Sequence, residues 1–397
     1  MHDAPTEQST DVLVIGGGNA GISLAARLHR KGITDVTIVE PKSTHHYRPM
    51  LSYVGAGLNT VEEMSRPQHR VMPRGVRWIQ DRVQALDPVA RTATLSSGRV
   101  RYRDVVICAG SAPDWDLVPG SAEAMAGPSA STNYTVELAP KTWELIRDLR
   151  RGTALFTIPD GPAPTPQIGQ KIMFLAADYW QRRGVLQDIE ITLLTPTATV
   201  FGQPAVDRAL EPWIERYGIT VLTSAQVRSI DAGARRLHAM VAGQARELPY
   251  DLLHHSPVHR APDWIAAAQL AAAGSSYADV DPRTLQHREL PHVWACGDAA
   301  ALETTSSGGA LRQQTKILAE NLLAVRDGRE PTAFYDGYTV TPVTVQRGRA
   351  VFAEFDRDNE LAPTIPRVPL LAPSRLLWFF DLEVLPRDYW NVILRGL

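Results

Sequence analysis

A β-branched run closed by a glycine-rich turn at residues 11–40, a second strand–helix–strand pattern over 153–195, and two further strands ending in glycine turns predict an α/β fold. The architecture implied is two Rossmann-like nucleotide-binding domains with a small C-terminal module. Residues 1–120 and 281–333 are assigned to the first domain, 121–280 to a second domain inserted into it, and 334–397 to the module.

The first unit reads DVLVIGGGNAGISLAARLHRKGITDVTIVE from Asp11. Val12 to Ile15 is the continuous apolar run of a buried parallel strand. Ile22, Leu24, Ala25 and Leu28 follow helical spacing, and Val36 to Val39 is a second strand. Gly16, Gly18 and Gly21 form GxGxxG at the strand-to-helix turn, around Asn19 and Ala20. Lack of a Cβ permits the tight turn, brings a pyrophosphate up to the backbone, and packs the helix on the strand. Helix N-terminal amides then face the phosphate. Glu40, followed by Pro41, closes the second strand nineteen residues after Gly21, where an acid accepts hydrogen bonds from an adenosine ribose. These are expected cofactor-binding residues.

The second unit is read from Thr153–Ile158, Gln170–Trp180 and Ile189–Thr195. Between its first strand and helix lies IPDGPAPTPQIG, a loop with four prolines and two glycines in twelve residues. Pro162, Pro164 and Pro166 stand where a second glycine turn would bind a nicotinamide dinucleotide, which argues against that cofactor. VVICAGSAPDWDLVPG at 105–120 and HVWACGDAA at 292–300 return the chain to glycine turns at Ala109-Gly110 and Gly297-Asp298, the latter followed by a helix expected over Ser307–Leu323. From Phe334 the pattern turns strand-like and ends in an aromatic tail.

The 41 basic and 43 acidic residues give a net charge of −2, so no electrostatic footprint for nucleic acid is present. No apolar run reaches the roughly 18 residues that a membrane-spanning helix needs. MHDAPTEQST is polar and acidic, unlike a signal peptide, and a cytoplasmic location is expected. Cys108 and Cys296 are far apart in sequence, which excludes a disulfide framework and paired metal-ligand spacing; no metal site is expected.

The three glycine turns in this order resemble the glutathione-reductase-like flavoprotein superfamily, which implies FAD as cofactor, an Asp298 that binds its ribityl chain, and a helix N-terminus near Gly308 aimed at the flavin. Further segments resemble the mitochondrial-type sulfide:quinone reductases over nearly the full length. They are VEPKSTHHYRPMLSYVGAG at 39–57, QKIMFLAADYW at 170–180, TLQHRELPHVWACGDAA at 284–300, YDGYT at 335–339, AEFD at 353–356 and the terminal YWNVILRG.

The resemblance implies one catalytic cysteine in the proline-rich loop and another just after the YDGYT motif. Those positions are Thr165 and Thr341 here. A threonine hydroxyl is not redox active, so the family's thiol relay is expected to be absent. The remaining cysteines read as packing residues. Where the family carries a lysine near the flavin, this chain reads TTSSGGALRQQ, a loss of charge and bulk that would admit a larger organic substrate.

Direct exchange with the flavin then needs a protein base. His46 and Tyr47 are candidates, beside His45 and an Arg48 expected to bind the cofactor, in a segment the resemblance places toward the flavin. His259 is a third, in LLHHSPVHRAPDW near the lost cysteine site. The leading expectation is an FAD-dependent oxidase or dehydrogenase of a hydrophobic small molecule, re-oxidised by oxygen or quinone. The alternatives are a membrane-associated quinone reductase with a non-sulfide donor and a silent FAD-binding protein. In the family the tail RLLWFFDLEVLPRDYWNVILRGL makes a quinone pocket and a membrane surface; here Asp381, Glu383, Arg387 and Asp388 interrupt its apolar face, so peripheral membrane contact is expected to be weaker and the tail to roof the substrate site.

Overall fold

The computed structural model describes residues 6–397; the polar start at residues 1–5 lies outside the described residues. Strand β1 (Thr6–Ile15) runs into helix α1 (Asn19–Arg30) and strand β2 (Val36–Val39). Val12, Leu13, Val14 and Ile38 are completely buried, as expected for parallel strands covered on both faces. β1 pairs in parallel with β2, from Val12 opposite Val36 to Ile15 opposite Val39, and on its other side with strand β3 (Gly98–Ile107).

β3 forks. Its first half pairs antiparallel with Thr92–Leu95, and its last three residues pair in parallel with Val293–Ala295, a strand that arrives much later in the chain.

Between these visits the chain builds a second sheet. Strand β4 (Gly152–Thr157), helix α2 (Ile168–Arg183) and strand β5 (Ile189–Leu194) follow in order. The sheet order is Ala130–Ser131, Leu252–His254, β4, β5, Thr220–Leu222, all parallel. A three-stranded antiparallel meander, Ala225–Asp231, Arg236–Val241 and Gln244–Pro249, follows on.

The helix expected over Ser307–Leu323 is helix α3 (Ala310–Arg326), which packs beside α1. Its start is displaced because the Ser307 hydroxyl accepts from the Ala310 amide at 3.3 Å and so caps the turn from outside. The hairpin of strands β6 (Thr339–Gln346) and β7 (Arg349–Phe355) covers α2. α2 is consequently buried on nearly every side: Ile172, Met173, Phe174 and Trp180 join one core with Val343, Val345, Val351 and Phe355.

The tail follows as Arg375–Phe379, a π-turn over Phe380–Val384, and Leu385–Asn391. The π-turn swings Asp381 inward, not onto the outer apolar face that the sequence suggested. There the Lys171 ammonium lies 2.7 Å from Asp381 Oδ2, with side-chain exposures of 6% and 4%. Tyr53 donates its hydroxyl to the same oxygen at 2.6 Å, and the ammonium sits 4.2 Å above the Tyr53 ring. Glu383 and Arg387 pair with each other at 2.9 Å. Leu376, Phe379 and Phe380 stay exposed. No helix among the described residues is long and apolar enough to cross a membrane.

Removing one partner of a buried ion pair strands the other charge. Asp381→Ala is expected to cost about 3–5 kcal/mol by urea denaturation, whereas Lys171→Met combined with Asp381→Leu recovers most of that loss.

Candidate functional site

The turn after β1 is built by backbone proximity. A Cβ on Gly16 would stand 2.3 Å from the Cys108 carbonyl oxygen, and one on Gly21 1.9 Å from the Gly16 carbonyl oxygen. Gly16 also has φ +108°, a left-handed conformation open to glycine. Gly18 differs: a Cβ there would meet no atom within 4 Å, so its face opens outward. Gly18 is the N-cap of α1 and supplies no side-chain cap, and the first turn of the helix holds no acid. Asn19 Oδ1 accepts from the Ser23 hydroxyl at 3.1 Å.

Opposite this turn stand Ala109-Gly110 and Gly297-Asp298. Gly110 has φ +69° and also faces open space. The Gly297 amide donates to Gln314 Oε1 of α3 at 2.9 Å, and a Cβ on Gly297 would lie 3.5 Å from the Ala20 methyl. Asp298 accepts from the Ser306 hydroxyl. At the end of β2, Glu40 Oε2 accepts from the Gly17 amide at 2.8 Å and Oε1 from the Lys42 amide at 2.9 Å. Each carboxylate oxygen keeps lone-pair capacity for a ribose hydroxyl. Pro41 follows on the rim, its carbonyl 3.5 Å from the Gln80 amide nitrogen. Two open glycine faces, uncapped helix amides and a fixed acid fit a dinucleotide.

Sequence reasoning missed what holds this turn. The Gly17 carbonyl accepts from Gln68 Nε2 at 2.8 Å and lies 3.2 Å from His45 Nδ1. Because a carbonyl only accepts, Nδ1 carries the imidazole proton, and Nε2 accepts from the Tyr389 hydroxyl at 2.5 Å. The C-terminal tail thus reaches the glycine turn through His45. Burial pushes the His45 pKa down to about 4.

Tyr47 is buried against Tyr389, with ring centroids 4.7 Å apart, and burial, then the Asp381 charge, raise its pKa well above the usual value. His46 points elsewhere, to Ser65 Oγ at 2.8 Å on the neighbouring strand of a short antiparallel pair.

A second cluster gathers at the proline-rich loop. Arg48 Nη2 donates to the Tyr134 carbonyl at 3.0 Å. The Tyr134 hydroxyl donates to the Thr165 carbonyl at 3.1 Å, and its ring lies 5.1 Å from that of His259. The His259 amide donates to the Pro162 carbonyl at 2.7 Å. His259 Nδ1 lies 3.1 Å from the Pro257 carbonyl, so it too carries its proton there, while Nε2 is buried and without a partner. Burial pushes the His259 pKa down to about 4. It is a neutral acceptor at pH 7 and a weak base.

Thr165 has φ +46°, a rare conformation for a β-branched residue. Its amide donates to the Ser306 carbonyl at 2.9 Å. On the other side of the same segment, the Val340 amide donates to Ser307 Oγ at 3.3 Å, with Thr341 next in β6. Thr165 therefore bonds to the Thr305–Ser307 segment, and Thr341, next to a residue that also bonds to it, lines a cavity with Thr305. Gly308 borders Pro49, and a Cβ on Gly309 would lie 2.5 Å from Val340 Cγ1. The cavity beside Thr341 encloses about 170 Å³ and is lined by Gln167, Gln203, Thr305, Phe355 and Asn359 among others, none charged.

The paired sheets and their glycine turns have the architecture of the two-domain dinucleotide-binding oxidoreductases, and the family Pyridine nucleotide-disulphide oxidoreductase matches residues 10–152. The chain is 32% identical to the mitochondrial sulfide:quinone oxidoreductase of Mus musculus, covering 97% of this chain and 86% of that protein. It is 27% identical to that of Dictyostelium discoideum, over 98% and 86%. The fold is shared with the sulfide:quinone oxidoreductase structure from Aquifex aeolicus, with TM-score 0.84, 18% identity, and coverage of 98% and 92%. The chain belongs to the sulfide:quinone oxidoreductase family.

The open and closed glycines predict different failures. Gly18→Ala is expected to fold with an unchanged thermal midpoint and bind FAD at least about tenfold more weakly, a loss near 1.4 kcal/mol, by flavin fluorescence titration. Gly21→Ala lowers the thermal midpoint itself. The buried histidines set a pH dependence. His45, His255 and His259 have pKa values lowered to about 4, and His254 to about 3, chiefly by burial. The unfolded chain, with histidine near 6.5, binds more protons below that pH. Stability is therefore full above about pH 6.5 and is lost as pH falls toward 4, which urea midpoints at pH 7.5 and 5 would register.

Proposed function

We propose that this protein is an FAD-dependent oxidoreductase that passes electrons to a quinone at a membrane surface, taking them from a small uncharged donor without a cysteine relay. The observation that carries this reading is the pair Thr165 and Thr341, the first bonded to the Thr305–Ser307 segment and the second lining, with Thr305, an uncharged cavity of about 170 Å³. The resemblance read from the sequence implies that relatives carry their sulfur chemistry at these two positions, and a hydroxyl cannot take it over. The cavity's size and lining favour a small hydrogen-bonding molecule over a bulky hydrophobic one.

FAD, when bound, supplies the two-electron centre. Gly16, Gly18 and Gly21 with the first turn of α1 would hold its pyrophosphate, Glu40 its ribose, and Asp298 its ribityl chain. The remaining residues position and exclude. Arg48 and Tyr134 fix the proline-rich loop, and His259 Nε2 is a buried acceptor left free beside it. With a pKa near 4, His259 does not store a proton at neutral pH. Tyr47, Tyr389 and Trp390 close the tail over His45 and shield that side from water.

Support for the quinone and the membrane comes from the named activity of the relatives and from the exposed Leu376, Phe379 and Phe380 beside the inward-turned Asp381.

Anaerobic mixing tests the donor. Sulfide is expected to leave the flavin absorbance of the native protein unchanged, and the combination Thr165→Cys with Thr341→Cys to bleach it. Rapid bleaching of the native protein by sulfide, or failure to take up FAD at all, would sink the reading. Leu376→Asp with Phe379→Asp is expected to cut co-sedimentation with liposomes at least roughly tenfold while flavin content is retained.

A further inference from the structure

The chain has two cysteines, and the fold brings them together. Cys108 and Cys296 are 188 residues apart in sequence, yet their sulfur atoms lie 3.6 Å apart. Each is the next residue after a paired strand position, Ile107 opposite Ala295, and the Cys296 amide donates to the Ile107 carbonyl at 3.2 Å. Adjacent strands run about 4.8 Å apart, within the α-carbon spacing that a disulfide spans. Bond formation needs the sulfurs to approach by about 1.5 Å, which side-chain rotation supplies without moving a strand.

We propose that Cys108 and Cys296 form a redox-active dithiol that closes to an intramolecular disulfide on exposure to a small two-electron oxidant of the peroxide class. One thiol attacks the peroxide O–O bond, giving a sulfenic acid and water. The second thiol then displaces the hydroxyl as a second water and forms the S–S bond. The two sulfurs together lose two electrons, both accepted by the peroxide.

Position explains why the pair is selective. Cys108 is 5% exposed and Cys296 fully buried, so a bulky disulfide reagent is excluded while a two-atom oxidant is not. The hydrogen bond shared with Cys296, then burial, hold the Cys108 pKa well above the usual thiol value, which makes the reaction slow and dependent on alkali. The pair sits directly under both glycine turns: Gly16 rests on the Cys108 carbonyl, and Ala109-Gly110 and Gly297-Asp298 are the next residues. A bond between the sulfurs staples these two turns into one unit.

The test uses the protein as purified. After hydrogen peroxide treatment, quenching with a maleimide in denaturant and peptide mapping without reductant should show two free thiols falling to none in one phase. A single cross-linked peptide should join Cys108 to Cys296, and dithiothreitol should restore both thiols. The rate should rise roughly tenfold from pH 7 to 8, following the thiolate. In Cys296→Ser, Cys108 should stop at a sulfenic acid that dimedone captures when it is added together with denaturant. The proposal is overturned if the folded protein keeps both thiols under treatment that oxidises the denatured chain, or if each cysteine oxidises singly with no cross-link.

Discussion

Backbone atoms at the end of β1 approach one another more closely than any side chain would allow, and the cofactor end of the molecule is organised around that contact. The Gly16 turn rests on the Cys108 carbonyl, and Gly21 seats α1 on the Gly16 carbonyl. Those two contacts fix where β1, β3 and α1 meet, and so where the open faces of Gly18 and Gly110 point. The second domain repeats the helix-seating half of the device. A Cβ on Gly169 would lie 2.6 Å from the Thr157 carbonyl, so α2 is seated on β4 as α1 is on β1. What the second domain lacks is the outward-facing glycine, replaced by the proline-rich loop that carries Thr165.

Two networks of buried polar groups hold separate parts of the chain to this frame. His45 links the Gly17 carbonyl to Tyr389, and the Lys171, Asp381 and Tyr53 cluster links the tail to α2. Both end in the last twenty residues, so the geometry of the glycine turn and the docking of the tail are coupled through side chains that have no solvent to fall back on. The neutral state of the histidines follows from the same burial, since a charge there would have no counterion.

Much of this was legible in the sequence because it rests on local pattern. The βαβ unit, the glycine turns and the acid at Glu40 are set by residues within thirty positions of each other. The candidate site was legible only in part. Thr165, Tyr134, Arg48 and His259 meet through contacts spanning long stretches of chain, and no periodicity marks them. His45 and His46 are neighbours in sequence, yet strand alternation sends one into the core and leaves the other half-buried on the opposite face. The inward turn of Asp381 depends on a π-turn that a helical pattern conceals, and the nearness of Cys108 to Cys296 depends on strand order that spacing does not reveal.

The fork in β3 bears on how the molecule is made. The last three residues of β3 have no partner on one flank until Val293–Ala295 has been synthesised. Through that interval the inserted domain emerges, with a parallel sheet of its own. That edge of β3 stays open until the chain has returned from the insertion, and the long loop that must close to cover it carries a conformational-entropy cost. A chain arranged this way depends on prompt folding of the inserted unit to protect the domain that encloses it.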